Sequence, residues 1–251
     1  MSWYDRKLIE ETGLSGKDKS FLGLFHAQGI NEWFLNVADL ADPDTAIWTV
    51  TEDNDGTVRC IRTAAGGYIG SCHIVAGSGS TNDSVISSQE LRCIDFQGGY
   101  SERYADGRTI VVGCRTKFSL EDLTGEAAIG MCGTAITADQ CDSGTAAFAG
   151  IHCDNDVVRA ITDNRTSIQA TTLTTNFSNA TSIHLMIKSI YHQGGVGTNR
   201  VEFYLNDVLK ATHSTNINYS VPVGFVAAAK NTNSVATDLR VNFVQLWSEL
   251  G

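Results

Sequence analysis

Two short acidic clusters are the segments of this chain whose residue types could bind a metal ion. They are Glu-Asp-Asn-Asp-Gly at residues 52–56 and Asp-Asn-Asp at residues 154–156. Calcium binds several oxygen ligands from one loop, and both clusters offer such oxygens. Both also lie between predicted strands, where Asp and Asn form solvated turns, and Asp55-Gly56 is a favoured hairpin pair. We therefore expect turns and no cofactor, with calcium as the alternative.

The histidines form no metal-ligand pattern. Neither His-x-His nor His-x-x-x-His occurs, so we expect structural or surface roles for all six. They are His26, His73, His152, His184, His192 and His213. The chain also lacks a Gly-x-Ser-x-Gly elbow and a Gly-x-x-x-x-Gly-Lys phosphate loop. Nucleophilic and nucleotide chemistry are not predicted.

The seven cysteines form no Cys-x-x-Cys pair, which argues against a zinc site. Most lie in predicted strands, as Cys93 and Cys114 do, and buried free thiols in a reducing compartment explain them. If a disulfide forms, Cys132 and Cys141 are the best local pair, because residues 133–140 could connect two antiparallel strands.

Charge and hydropathy exclude several partners. The formal net charge of −10 opposes binding to a phosphate backbone, so nucleic acid is not an expected partner. No apolar run is long enough to span a bilayer. Charged residues occur near Met1, but no apolar signal core follows them. We expect synthesis in the cytoplasm without a signal peptide.

β-strands must position any residues that form a functional site in this chain. Hydrophobic residues make up 42% of the 251 residues, and apolar and polar positions alternate in short segments separated by Gly and Asx turns. A clear case is the run through Val201, Phe203 and Leu205, with Glu202 and Tyr204 on the opposite face. The pattern predicts an all-β fold of two antiparallel sheets packed face to face.

The hairpin that follows this run has two alternative registers. A strict two-residue turn at residues 206–207 would place Lys210 opposite Phe203. A bulged turn that includes Val208 would instead align Leu209 and Ala211 with Leu205 and Phe203. We expect the bulged turn, because it keeps apolar side chains on one face.

Residues 1–45 differ from the remainder, so we divide the chain into an N-terminal arm with entry strands (1–45) and a sandwich (46–251). Residues 3–12 predict a short helix, and residues 32–35 an aromatic-rich strand. These aromatics either begin the core or form an interface. The candidate interface residues are Trp3, Tyr4, Leu8, Ile9, Trp33 and Phe34.

The order of the strands resembles a concanavalin A-like jelly roll over residues 46–249. The resemblance rests on residues 107–112, 127–131 and 150–153 and on the hairpin that begins near Arg200. This family includes legume lectins, glucanases, alginate lyases and virion proteins of tailed phages. Its fold leaves the function open.

The enzyme motifs of that family are absent or incomplete. Retaining glucanases carry Glu-x-Asp-x-x-Glu, which does not occur here. Glu90 and Arg92 match part of the Arg-x-Glu-Leu-Arg strand of alginate lyases, but Ser88 replaces its first arginine. The other lyase segments are missing, so no base is positioned for proton abstraction. The Glu-x-Asp metal motif of legume lectins is missing as well. We expect no enzyme activity.

Overall resemblance then favours a structural protein of a tailed-phage virion, a capsid decoration or cement protein. It would dock on the major capsid protein or other virion subunits through the N-terminal arm and the sandwich edges, and it would form a homo-oligomer. The alternative is a polysaccharide-active enzyme or a carbohydrate-binding module that holds a glycan in an aromatic- and amide-lined groove.

Overall fold

A computed structural model describes most of the sandwich. The described residues are 30–33, 43, 48–61, 71–77, 83–88, 91–95, 98–99, 109–120, 125–133, 136–154, 157–174, 182–195, 197–232 and 237–250. They form seventeen strands and two short 3₁₀ helices, Ala138–Asp142 and Gln193–Gly195. None of these helices is long and apolar enough to cross a membrane.

The strands are numbered in chain order. They are β1 Ile30–Trp33, β2 Trp48–Glu52, β3 Thr57–Ile61, β4 Ser71–Val75, β5 Asp83–Ser88, β6 Leu91–Asp95, β7 Gly98–Gly99, β8 Thr109–Leu120, β9 Glu126–Cys132, β10 Ala147–Asp154, β11 Val157–Asn164, β12 Ile168–Thr174, β13 Ile183–His192, β14 Arg200–Leu205, β15 Val208–His213, β16 Pro222–Lys230 and β17 Asp238–Leu250.

Two antiparallel sheets form a jelly-roll sandwich, as the alternation predicts. The eight-stranded sheet has the order β15-β14-β13-β8-β17-β4-β3, and β1 also pairs with β17. The nine-stranded sheet has the order β12-β11-β10-β9-β16-β5-β2, with β6 beside β16 and β7 beside β6. Some strands that are far apart in the chain are neighbours in a sheet. β8 pairs with β17, and β9 pairs with β16.

The main core lies between the sheets. Alternate residues of strands such as β8 and β14 are buried in it, and its largest buried rings are Trp48, Phe118, Phe203 and Phe225. The rings of Trp48 and Phe225 meet edge to face with centroids 5.9 Å apart, a favourable geometry for aromatic pairs.

A second apolar cluster lies on the outer face of the nine-stranded sheet. Residues 136–146, which we call the covering segment, pack Ile136, Ala138 and Cys141 against the sheet residues Phe148 and Ala228. The 3₁₀ helix of this segment begins after Thr137, whose backbone N–H donates to Gln140 Oε1 at 3.1 Å. The covering segment therefore removes part of this outer face from solvent.

The β14–β15 hairpin combines features of both predicted registers. Its turn has two residues, Asn206 and Asp207, both with positive φ, so the expectation that Val208 belongs to the turn is wrong. The bulge lies further along β15, and it places Ala211 opposite Phe203 as predicted. The expected pairing of Leu209 with Leu205 is wrong, because Val208 lies opposite Leu205. The bulge restores the inward alternation that a simple ladder would lose.

The acidic turn at residues 52–56 is confirmed, but it is not a hairpin. The N–H of Gly56 donates to Asp53 O at 3.0 Å, and Asn54 has a φ of 52°. The turn connects β2 of one sheet to β3 of the other. Glu52 contributes to this crossing, because its Oε1 accepts the N–H of Val58 at 2.6 Å.

Cysteine burial is confirmed for the six cysteines whose side chains are described. All six are buried, free thiols, including Cys132 and Cys141, which do not form the disulfide considered above. Of the N-terminal segment, strand β1 is described, and it pairs with β17. The predicted helix at residues 3–12 lies outside the described residues.

Candidate functional site

The outer face of the eight-stranded sheet carries a tryptophan that lies flat on a glycine. Trp247 of β17 is paired with Gly113 of β8. A Cβ atom at residue 113 would overlap Cζ2, Cε2 and Cη2 of the indole, so the ring occupies the space that a side chain would fill. Trp247 is partly exposed. Glycine at this position therefore lets an aromatic surface lie along the sheet.

Two neighbouring cross-strand rows of residues form this face, and the first of them includes Trp247. The first runs from Trp247 through Gly113 to Lys188 and Glu202, and the second runs from Gln245 through Arg115 and Met186 to Tyr204. Gly113 is buried, and the other residues of both rows are at least partly exposed. We call Trp247, Gln245, Arg115, Lys188, Glu202 and Tyr204 the tryptophan face.

Glu202 organises one side of the tryptophan face. It accepts hydrogen bonds from the Tyr204 hydroxyl at 2.6 Å and from Arg200 Nε at 2.7 Å. Burial raises the pKa of Glu202, but these hydrogen bonds outweigh burial, so its pKa lies below the ordinary value. The bond to Glu202, with burial, raises the pKa of Tyr204 to about 12. Lys188 Nζ lies 5.6 Å from the centre of the Tyr204 ring, a cation–π distance.

The charge of this region is opposite to that of the chain. The charged side chains on β8, β13 and β14 are the basic Arg115, Lys117, Lys188 and Arg200 and the single acid Glu202. The whole chain has a formal net charge of −10. A local excess of positive charge attracts an anionic ligand even when the net charge of the protein is negative.

A second polar cluster lies beneath the covering segment. His152 of β10 is 1% exposed, and its Nε2–H donates to Glu126 Oε1 at 2.8 Å. Its Nδ1 lies 3.6 Å from Asp142 Oδ2, beyond hydrogen-bond length, and has no hydrogen-bond partner. These three side chains bring their ligand atoms within 4.8 Å of one another.

Lys230 of β16 completes this cluster. Its Nζ lies 3.0 Å from Asp139 Oδ2 and 3.9 Å from Glu126 Oε2. Burial raises the pKa of Asp139, but hydrogen bonds from Thr137 and Lys230 outweigh it and lower the pKa below the ordinary value. The lysine therefore connects the sheet with the covering segment.

The structure brings together residues that the sequence pattern leaves separate. His152, Glu126 and Asp142 meet because β9 and β10 are adjacent and the covering segment folds back over them. No spacing motif signals this contact, and neither polar cluster contains a residue that we singled out as a site. One sequence signal does exist, since Glu126 and His152 lie at polar positions of otherwise apolar strands.

The predicted site residues lie mostly outside the described part of the chain. Trp3, Tyr4, Leu8, Ile9, Phe34 and Glu90 are not described. Trp33 lies in β1 and Arg92 in β6, with backbone positions alone described. Of the second acidic cluster, Asp154 ends β10, and residues 155–156 are not described.

Comparison with known proteins identifies the fold. No family model matches the chain, and no curated protein is similar to it in sequence. Solved structures do match. The carbohydrate recognition domain of Emp47p is 9% identical, with a TM-score of 0.54 over 88% of this chain and 94% of that one. The cellulose-induced protein Cip1 is 13% identical, with a TM-score of 0.53 over 88% and 96% of the two chains.

The description of a third solved structure states that prominent members of the human gut microbiota express endo-acting O-glycanases to initiate mucin breakdown. It is 14% identical, with a TM-score of 0.54 over 88% of this chain and 98% of that one. These likenesses confirm the concanavalin A-like jelly-roll fold. At this identity they show the fold alone, and none of them links the chain to virion proteins.

Proposed function

We propose that this protein is a carbohydrate-binding domain that holds an acidic glycan on the tryptophan face. The observation that carries the proposal is Trp247, whose ring covers Gly113. Lys188 pairs with Gly113 from the other side, and Gln245 precedes Trp247 by two residues on β17. This arrangement matches the aromatic- and amide-lined site that the alternative function requires.

The chemistry of an acidic sugar fits these groups. One face of a pyranose ring presents C–H groups, which pack on an indole, while its hydroxyl groups need hydrogen-bond partners such as the amide of Gln245. A uronate carboxylate or a sulfate would lie near Arg115 and Lys188, because guanidinium and ammonium groups bind such anions through charge-assisted hydrogen bonds.

The fold is compatible with this role. Emp47p is described as having a carbohydrate recognition domain, and its fold is similar to that of this chain. The fold accommodates many functions, so the proposal depends on the tryptophan face and not on the likeness.

Binding without catalysis is part of the proposal. Glycoside hydrolysis generally needs two carboxyl groups on either side of the scissile bond. Among the described side chains of β8, β13, β14 and β17, the carboxylates are Glu202 and Asp238. Tyr204 and Arg200 donate to Glu202, and Arg240 donates to Asp238. We therefore expect the glycan to be held and not cleaved.

Calorimetric titration of the purified protein with alginate and with a neutral β-glucan tests this function. We expect binding of alginate, and a loss of at least about tenfold in affinity for Trp247→Ala, equivalent to about 1.4 kcal/mol. Ile168→Ala is the matched control, because Ile168 is an exposed apolar residue of the other sheet. Its affinity should equal that of the wild type.

A charge variant tests the preference for an anion. Arg115→Gln with Lys188→Gln should weaken alginate binding, whereas Arg159→Gln on the nine-stranded sheet should not. Equal affinity of wild type and Trp247→Ala for alginate would contradict the proposed site. If no glycan binds and the protein instead sediments with phage capsids, the predicted virion role would replace this function.

A further inference from the structure

His152 has a ring nitrogen whose partner is missing. The carboxylate of Glu126 accepts the Nε2–H at 2.8 Å, so Nδ1 is the ring nitrogen that this bond leaves available. Among the residues that the structure describes, Nδ1 has no hydrogen-bond partner, and His152 is 1% exposed. A buried acceptor without a donor is destabilising, so this nitrogen requires an explanation.

The group that faces Nδ1 is itself an acceptor. Asp142 Oδ2 lies 3.6 Å away, so a carboxylate oxygen, which can only accept hydrogen bonds, lies close to this nitrogen. Two electron-rich atoms repel in a buried setting unless a cation lies between them. Lys230 Nζ lies close to Asp139 and Glu126, 3.0 Å from Asp139 Oδ2 and 3.9 Å from Glu126 Oε2.

We propose that His152 Nδ1 and the Asp142 carboxylate bind a divalent transition-metal ion of the Zn²⁺ type. Zinc binds imidazole nitrogen and carboxylate oxygen at about 2.0–2.2 Å, which separates two tetrahedral ligands by roughly 3.3 Å. The observed 3.6 Å is close to this value. Water molecules complete the coordination, and the ion enters beside Asp142, whose side chain is 30% exposed.

Glu126 supports the site from the second shell. A metal-binding histidine usually donates its other N–H to a carboxylate, which fixes the tautomer and the ring orientation. The bond from His152 Nε2–H to Glu126 has this arrangement. Calcium and magnesium fit less well, because hard cations take oxygen ligands. The ion differs in kind and in place from the calcium considered for residues 52–56 and 154–156.

The consequence for the fold is a cross-link. Asp142 ends the 3₁₀ helix of the covering segment, and His152 belongs to β10 of the sheet beneath it. A bound ion would join these two elements in the folded protein and not in the unfolded chain. It would therefore raise the melting temperature, and the rise would grow with the logarithm of the free ion concentration.

Zinc uptake tests the proposal. Protein treated with EDTA is dialysed against Zn²⁺, and the bound metal is counted by mass spectrometry and the melting temperature recorded. We expect one bound Zn²⁺ per chain and a rise in melting temperature. Asp142→Asn should weaken binding at least about tenfold, because it removes the anionic ligand. Asp207→Asn is the matched control, because Asp207 is an exposed aspartate in the β14–β15 turn of the other sheet, and it should bind like the wild type.

The melting temperature in EDTA shows whether each variant is folded, so a loss of uptake by Asp142→Asn cannot be mistaken for unfolding. Cobalt substitution gives a second measurement, because ligand-field absorption distinguishes nitrogen and oxygen ligands from the thiolates of the chain. Absence of stoichiometric uptake, or equal uptake by wild type and Asp142→Asn, would overturn the site. Neither result affects the tryptophan face.

Discussion

His213 is a buried polar side chain that needs no metal to explain it. It lies between the two sheets with no exposed surface. Its Nδ1 lies 3.0 Å from Thr162 Oγ1 and its Nε2 lies 2.9 Å from Thr171 Oγ1, so both nitrogens have partners. Burial lowers its pKa to about 4, because the charged form would lose its hydration. His213 is therefore neutral in the folded protein at neutral pH.

This lowered pKa predicts acid sensitivity. The unfolded chain binds a proton at His213 near pH 6.5, whereas the folded chain does so near pH 4, so stability is complete above pH 6.5 and decreases as the pH falls toward 4. The loss from this residue should approach about 3 kcal/mol. Urea unfolding across this pH range measures it.

The His213→Gln variant should show a shallower decrease over the same range, and His184→Gln, at an exposed site, should match the wild type. A residual slope is expected in His213→Gln, because burial also lowers the pKa of His73. Parallel curves for wild type and His213→Gln would show that His213 is not the group responsible.

At the scale of elements, the β14–β15 hairpin depends on two residues with unusual backbone angles. Asn206 and Asp207 have φ values of 49° and 63°. Asn206 is also held by its neighbour strand, since its side-chain Oδ1 accepts the N–H of His184 at 3.0 Å and its own N–H donates to His184 O at 2.8 Å. Asp207 is exposed, which makes it the cleaner position to substitute.

Substitutions at Asp207 should follow the cost of a positive φ. Asp207→Val should destabilise the protein by about 1–2 kcal/mol, because a β-branched residue is strained in the left-handed region. Asp207→Gly should be neutral or stabilising by up to about 1 kcal/mol. Chemical denaturation measures both. Thr212→Val, on an exposed strand position, is the control and should change stability by less than about 0.5 kcal/mol.

At the scale of the whole molecule, the sandwich encloses its thiols. Six cysteines are fully buried, and burial raises the pKa values of Cys114 and Cys153 to about 12. The thiolate is the reactive form, so both access and ionisation protect these residues in the folded state.

Thiol labelling should therefore report global opening. We expect the six buried thiols to remain unlabelled in the native protein and to react once denaturant unfolds it. Mass spectrometry after a labelling pulse counts the modified residues. A Thr212→Cys variant, exposed on β15, provides a site that should react at once. Fast labelling of Cys114 or Cys153 under native conditions would contradict a closed core.

The sequence by itself determined the fold class and much of the strand pattern. Alternation of apolar and polar residues, as in Val201, Phe203 and Leu205, predicts inward and outward faces, and these three residues are buried in the main core. Burial of the cysteines and the turn at residues 52–56 follow from local composition as well. These features depend on residue type and near neighbours, which the sequence displays directly.

The tertiary structure alone decided which residues meet. Trp247 and Gly113 are far apart in the chain and become partners because β17 and β8 are adjacent in the sheet. His152 meets Asp142 because the covering segment returns over β10. The tertiary structure also fixed where the hairpin bulge lies, since the sequence predicted a bulge but placed it in the turn. Such contacts follow from sheet order and from segments folding back, and because neither has a fixed spacing in the sequence, no motif predicted either site.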